Sequence, residues 1–163
     1  MTPKEFEAIV AEAFSLVPEK FRSKVKNVAL LVEAEPDEAT RKAEGLGQGD
    51  TLLGLYRGIP RTERGDGYGV GPTMPDTITI YREPIFEEAR HEAGIDPAWG
   101  KTETFTEPMK RRVRVIVRDT IWHEIAHYFG MDESEVDERE VEGTNEFPPD
   151  AQSGPGPDIN PRS

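Results

Sequence analysis

Residues 106–130, TEPMKRRVRVIVRDTIWHEIAHYFG, decide the fold, because a single long helix is written along the whole stretch. Thr106, Glu107 and Pro108 supply a hydroxyl cap, an acid and a first-turn proline, the chemistry of a helix start. Gly130 is the usual kind of stop. At about 100° per residue, Met109, Val113, Ile116, Val117, Thr120, His123, Glu124 and His127 fall in one stripe roughly 120° wide. The core-facing stripe therefore runs into two histidines and a glutamate. Ile121, Trp122, Ile125 and Phe129 surround the last two turns with apolar groups, which predicts burial of this end on several sides.

His123 and His127 are two of the three histidines in the chain. At i and i+4 their imidazoles lie about 40° apart on the helix, so both can reach one metal ion. Glu124 is turned by ~100° from His123, near enough to hold a water at that ion without serving as a ligand. At this composition the pattern arises by chance on the order of half a per cent of the time, so a helix with two merely solvated histidines is the weaker reading. His-Glu-x-x-His at this spacing points to a zinc hydrolase, in which Glu124 is the general base.

A catalytic zinc site takes three protein ligands and keeps an open position. The third must come from downstream, where residues 131–141 are dense in carboxylates. In the metzincin pattern it lies three residues beyond the glycine, which here is Glu133; Asp132 and Asp137 are the alternatives. Acids in this segment also suit a first helical turn, and that is the better account of Glu135, Glu138, Glu140 and Glu142.

The motif from His123 to Glu133 resembles that of the bacterial mini-zincins, small predicted metallopeptidases with H-E-x-x-H-x-x-G-x-x-(Asp/Glu). The segments Leu52 to Pro60 and Asp76 to Arg82 resemble strands of that family, so the likeness spans most of residues 3–142. Two departures stand out: Glu occupies the position where Asp is more familiar, and no methionine follows Met131 to form a Met-turn. The resemblance implies a minimal zincin-like α+β fold, a small mixed three-stranded sheet packed with an N-terminal helix and a long active-site helix. It also implies Zn2+ held by His123, His127 and Glu133, Glu124 as catalytic base, and a peptide or protein substrate that pairs with an edge strand. Leu52 to Arg57 and Thr77 to Arg82 are the two candidates for that strand. Tyr56, Tyr68 and Tyr81 are candidate oxyanion stabilisers, and spacing favours none of them.

Elsewhere, residues 3–17 carry Phe6, Ile9, Val10, Ala13, Phe14 and Val17 at helical spacing, with Pro18 as the stop. Val25 to Glu33, Leu52 to Tyr56 and Thr77 to Tyr81 read as strands, and Pro84 to Glu92 as a helix. The glycines at 65, 67, 69 and 71 lack the strand-to-helix setting of a phosphate loop and read as loop, as do residues 93–105. His91 is better read as a helix-end residue than as a ligand. Residues 1–142 form one expected domain, and the Pro/Gly-rich residues 143–163 a disordered tail.

A formal charge of −12 argues against a general nucleic-acid binder and against adhesion to anionic membranes. Lys110, Arg111, Arg114 and Arg118 form a basic row, which is the ordinary look of a solvated helix face. The chain has no cysteine, which excludes disulfides and thiolate ligands. It has no apolar run of spanning length and begins without an export signal, so the expected location is the cytoplasm. Two other classes remain beside the peptidase: a non-catalytic protein that uses zinc as a staple or interaction surface, and a metal-free helical interaction domain. The presence of Glu124 favours the enzyme, because a structural site needs only ligands.

Overall fold

A computed structural model describes residues 1–17, 19–23, 25, 27–58, 75–95 and 105–129. Helix α1 (Pro3–Ser15) starts on a capping box: Thr2 Oγ1 accepts the Glu5 N–H at 3.2 Å, and Glu5 accepts the Thr2 N–H at 2.6 Å. Its apolar face buries Phe6, Ile9, Val10 and Ala13. The helix ends two residues before the expected Val17, which is nevertheless buried. A single turn, α2 (Glu19–Arg22), follows and sets Phe21 edge-on to Trp122 and Phe129.

Three strands make one sheet, β1 (Val28–Glu33), β2 (Gly54–Arg57) and β3 (Asp76–Tyr81), in the order β1-β3-β2. β1 runs parallel to β3 with Val28 opposite Asp76, and β2 runs antiparallel to it with Tyr56 opposite Ile78. The sheet is therefore mixed and three-stranded, and the class is α+β, as the sequence leads one to expect. Because β3 is central, its backbone is used on both sides. Thr77 to Arg82 thus drops out as the strand for an extended substrate, and among the described residues β2 lies at the sheet's edge.

Helix α3 (Glu38–Ala43), between β1 and β2, has no counterpart in the sequence reading. Asp37 caps it, accepting the Thr40 N–H at 2.7 Å, and Thr40 in turn accepts a hydrogen bond from Arg57 at 2.7 Å. Helix α4 (Arg82–Glu92) follows β3 without a loop and begins two residues before Pro84, which the first turn tolerates because its N–H has no helical partner there.

Helix α5 (Glu107–Tyr128) is the long helix of the opening stretch, with Thr106 as its cap and Phe129 as its C-cap. It packs on α1, α4, β2 and β3, which makes it the element around which the others assemble. Val113, Val117, Ile121 and Ile125 are fully buried along it, each worth roughly 1.5–3 kcal/mol relative to exposure. They meet Ile78 and Ile80 of the sheet and Phe6 and Val10 of α1 in one core. Arg112 of α5 pairs with Glu92 of α4, fixing the crossing of the two helices. In the basic row, Lys110 pairs with Glu107 at 3.5 Å and Arg118 with Asp119 at 3.4 Å, and all four basic residues are half-buried, where the sequence leads one to expect a solvated face. No helix among the described residues is long and apolar enough to cross a membrane.

Candidate active site

His123, Glu124 and His127 lie on the last two turns of α5, within regular helix. Their imidazole centroids are 4.9 Å apart with the rings nearly edge to face, and both rings are half-buried. Glu124 is 7% exposed. Burying an ionised carboxylate is costly unless donors meet it, and here the main chain of β2 does so: Tyr56 N–H donates to Glu124 Oε2 at 2.7 Å.

The direction of that N–H follows from strand parity. Tyr81 N–H donates to Leu53 O at 2.9 Å, so Leu53, Leu55 and Arg57 turn their backbone groups toward β3. Gly54 and Tyr56 turn theirs the other way, to the edge. The α5 side of β2 is also set by Gly54, because a Cβ built there would lie 2.7 Å from Thr120 Cγ2 and 3.2 Å from Glu124 Cγ. Strand and helix are in close contact at Thr120 and Glu124.

Aromatic rings close the end of the helix. Tyr128 is buried and meets the Tyr56 ring edge-on at 6.1 Å, while Trp122 and Phe129 meet Phe21 at 5.2 and 5.7 Å. These contacts tie the last turns of α5 to α2 and β2, which fixes the stretch of helix that carries the two histidines.

The candidate tyrosines separate by location. Tyr56 points its hydroxyl at Asp76 and donates to Oδ2 at 2.7 Å, so a buried carboxylate already engages it. Tyr81 lies on the opposite face of the sheet, near Thr40 and Glu33, where burial pushes its phenol pKa up. Tyr68 is outside the described residues. His91 is exposed in the last turn of α4, the helix-end position expected for it.

Among the described residues no three of His, Cys, Asp and Glu gather as a metal would require. Glu133, Asp132 and Asp137 all fall outside the described residues, as do Gly130, the glycine-rich loop and the tail from 143. What the described part presents is two neighbouring imidazoles, a donor type that zinc takes, beside a carboxylate that a strand N–H holds. That is a fit for the first two ligands.

Sequence reasoning missed Gly54, the Tyr56 backbone and Asp76. One signal was present: a glycine inside an apolar strand run marks a close backbone approach.

A long helix packed across a mixed sheet, ending in His-Glu-x-x-His beside an edge strand, has the layout of a zincin. A profile of the family described as zincin-like metallopeptidase matches residues 25–98 and 101–143, and the chain belongs to that family. It is also similar to the HTH-type transcriptional regulator MntR of Shouchella clausii (strain KSM-K16), at 24% identity over 152 residues, spanning 92% of this chain and 99% of that protein.

Proposed function

We propose that the protein is a cytoplasmic zinc-dependent peptidase, with His123, His127 and a carboxylate from the segment after α5, Glu133 before Asp132 or Asp137, as ligands. Zinc, when bound, supplies Lewis acidity, making a water more acidic and polarising the scissile carbonyl. Glu124 accepts the proton of the attacking water and delivers it to the leaving amine. An extended peptide lies along β2, pairing with the edge to which Gly54 turns its backbone, so that its scissile bond passes Glu124.

The observation that carries this reading is the buried Glu124 carboxylate, held by a main-chain N–H one residue from a candidate ligand. A protein that used zinc only as a staple would have no need to bury and orient a carboxylate that is not a ligand.

The similarity to a protein named as a transcriptional regulator favours a second reading, DNA binding. The net charge of −12 and the ion pairs within the basic row weigh against it.

Metal analysis of protein purified without chelator, with hydrolysis of a mixed peptide library by wild type, His123→Ala and Glu124→Gln, tests the proposal. Stoichiometric zinc, lost in His123→Ala, and cleavage lost in Glu124→Gln are the expected results. Absence of zinc sinks the metalloenzyme. Zinc without any Glu124-dependent cleavage leaves the non-catalytic zinc protein, and salt-sensitive binding to duplex DNA would favour the regulator.

A further inference from the structure

We propose that Gly54 is a positioning residue for Glu124: its missing side chain lets β2 close on the last turns of α5, and that approach brings the Tyr56 N–H onto the carboxylate. The inference rests on the peptidase reading for its catalytic consequence, though the geometry stands apart from it.

Gly54 is buried, and its backbone is not in the left-handed region, so glycine is not needed there for conformation. It is needed for space. An added Cβ would meet Thr120 Cγ2 at 2.7 Å, Glu124 Cγ at 3.2 Å and Thr79 O at 3.3 Å. The first contact is closer than side chains tolerate, and Thr120 cannot swing away cheaply. Its hydroxyl donates to Ile116 O at 2.7 Å in a buried setting, and a β-branched side chain has few rotamers in a helix. Any residue larger than glycine must therefore lever β2 away from α5 at the level of Glu124.

The hydrogen bond two residues along is the casualty. Tyr56 N to Glu124 Oε2 is 2.7 Å, at the short end of the usual range, so a strand pushed outward by more than about 0.5 Å takes the pair out of good hydrogen-bond distance. Opposite it, the Tyr56 hydroxyl is anchored on Asp76 of β3 at 2.7 Å, so Tyr56 cannot follow the helix independently of the sheet. Gly54 thus sets the gap, and Tyr56 reads it out at the carboxylate. A base displaced by a fraction of an ångström still lets substrate bind but lines up the proton transfer less often.

Four forms of the full chain decide the matter: wild type, Gly54→Ala, Glu124→Gln and the double variant Gly54→Ala with Thr120→Ser. The serine removes the methyl that an alanine would strike and keeps the hydroxyl that bonds Ile116. Each is read in two ways: the amide proton shift of Tyr56 in 15N-labelled protein, and kcat and KM on one internally quenched peptide that zinc-loaded wild type cleaves. A bond to a carboxylate draws the amide proton downfield. The Tyr56 resonance is expected to move upfield in Gly54→Ala and in Glu124→Gln, and to return in the double variant. With zinc content unchanged, Gly54→Ala should lower kcat by ~10- to 100-fold at a KM within about twofold, and the double variant should recover most of it. A Tyr56 shift indifferent to Glu124→Gln or to Gly54→Ala overturns the proposal, as does an unrescued double variant. Loss of the fold in both Gly54 variants makes Gly54 a packing residue only and overturns it too. If wild type cleaves no peptide, the peptidase reading fails, while the amide shifts still decide whether Gly54 sets the bond.

Discussion

Two carboxylates are buried beside β2, Asp76 at 4% exposure and Glu124 at 7%, and Tyr56 donates a hydrogen bond to each. Each also lies against a glycine, Glu124 against Gly54 at the start of β2 and Asp76 against Gly58 just past its end. The difference lies in how they are held. Asp76 belongs to the sheet and is met by a side-chain hydroxyl, while Glu124 belongs to the helix and is met by a main-chain N–H. Gly58 has φ +156 and would place a Cβ on the Asp76 carboxyl, whereas Gly54 has ordinary backbone and needs only room. Asp76 therefore ties strand to strand, and Glu124 is aimed by the assembled frame. The N–H that meets Glu124 is fixed by the strand's main chain, whereas the hydroxyl that meets Asp76 sits on a side chain.

The comparison breaks if the two acids exchange their phenotypes. Glu124→Gln keeps the shape, and its expected effect is the largest: a loss of about 10²- to 10⁴-fold in peptide hydrolysis, with zinc content and urea midpoint near wild type. Comparable loss in Asp76→Ala with an unchanged urea midpoint would place Asp76, not Glu124, at the chemistry. The expected behaviour of Asp76→Ala is the reverse. Losing the buried carboxylate that the half-buried Tyr56 hydroxyl bonds costs ~1–3 kcal/mol of stability, measured by urea unfolding, with zinc still taken up. Tyr56→Phe takes a donor from the buried Asp76 carboxylate, with an expected cost also of ~1–3 kcal/mol, and leaves the main-chain bond to Glu124 in place. Its kcat should stay within a few fold of wild type, and a drop as deep as that of Glu124→Gln would mean that the hydroxyl, and not the backbone, serves the reaction.

What the sequence made legible was local. Helix α5 declares itself by period and by its Thr106 and Pro108 start, and α1 by its stripe from Phe6 to Ala13, because residues three and four apart meet whatever the rest of the chain does. His123, Glu124 and His127 share a face for the same reason. Helix α3 escaped because six residues are too short to show a period, and its one mark, the Asp37 cap, also suits a turn. The central place of β3 and the edge place of β2 were not legible either: both read as apolar runs, and pairing order is settled by which neighbours the folded chain brings. The hold on Glu124 spans 68 residues and runs through a backbone group, which no side-chain pattern encodes. Gly54 was the one visible trace of it.

A third acid sharpens the contrast by lacking burial. Asp37 is exposed at the start of α3, accepting the Thr40 N–H, and those hydrogen bonds from Thr40, helped by the Arg57 charge, hold its pKa below the usual aspartate value. A pKa lowered by folding means that the carboxylate's contribution is fully present above the unfolded value near ~3.9 and fades as pH falls through the folded one. Asp37→Asn keeps a cap oxygen but cannot titrate. It should therefore remove the part of the acid unfolding slope that lies below the ordinary aspartate pKa, so that the variant falls slightly below wild type at neutral pH and the two converge in acid. Because the group is in solvent, the effect should be the smallest of the series and should shrink with added salt. Urea midpoints of wild type and Asp37→Asn between neutral and acid pH measure it. Parallel curves would show that the Thr40 bonds do not favour the ionised form, and that a local cap without burial adds no pH dependence to this fold.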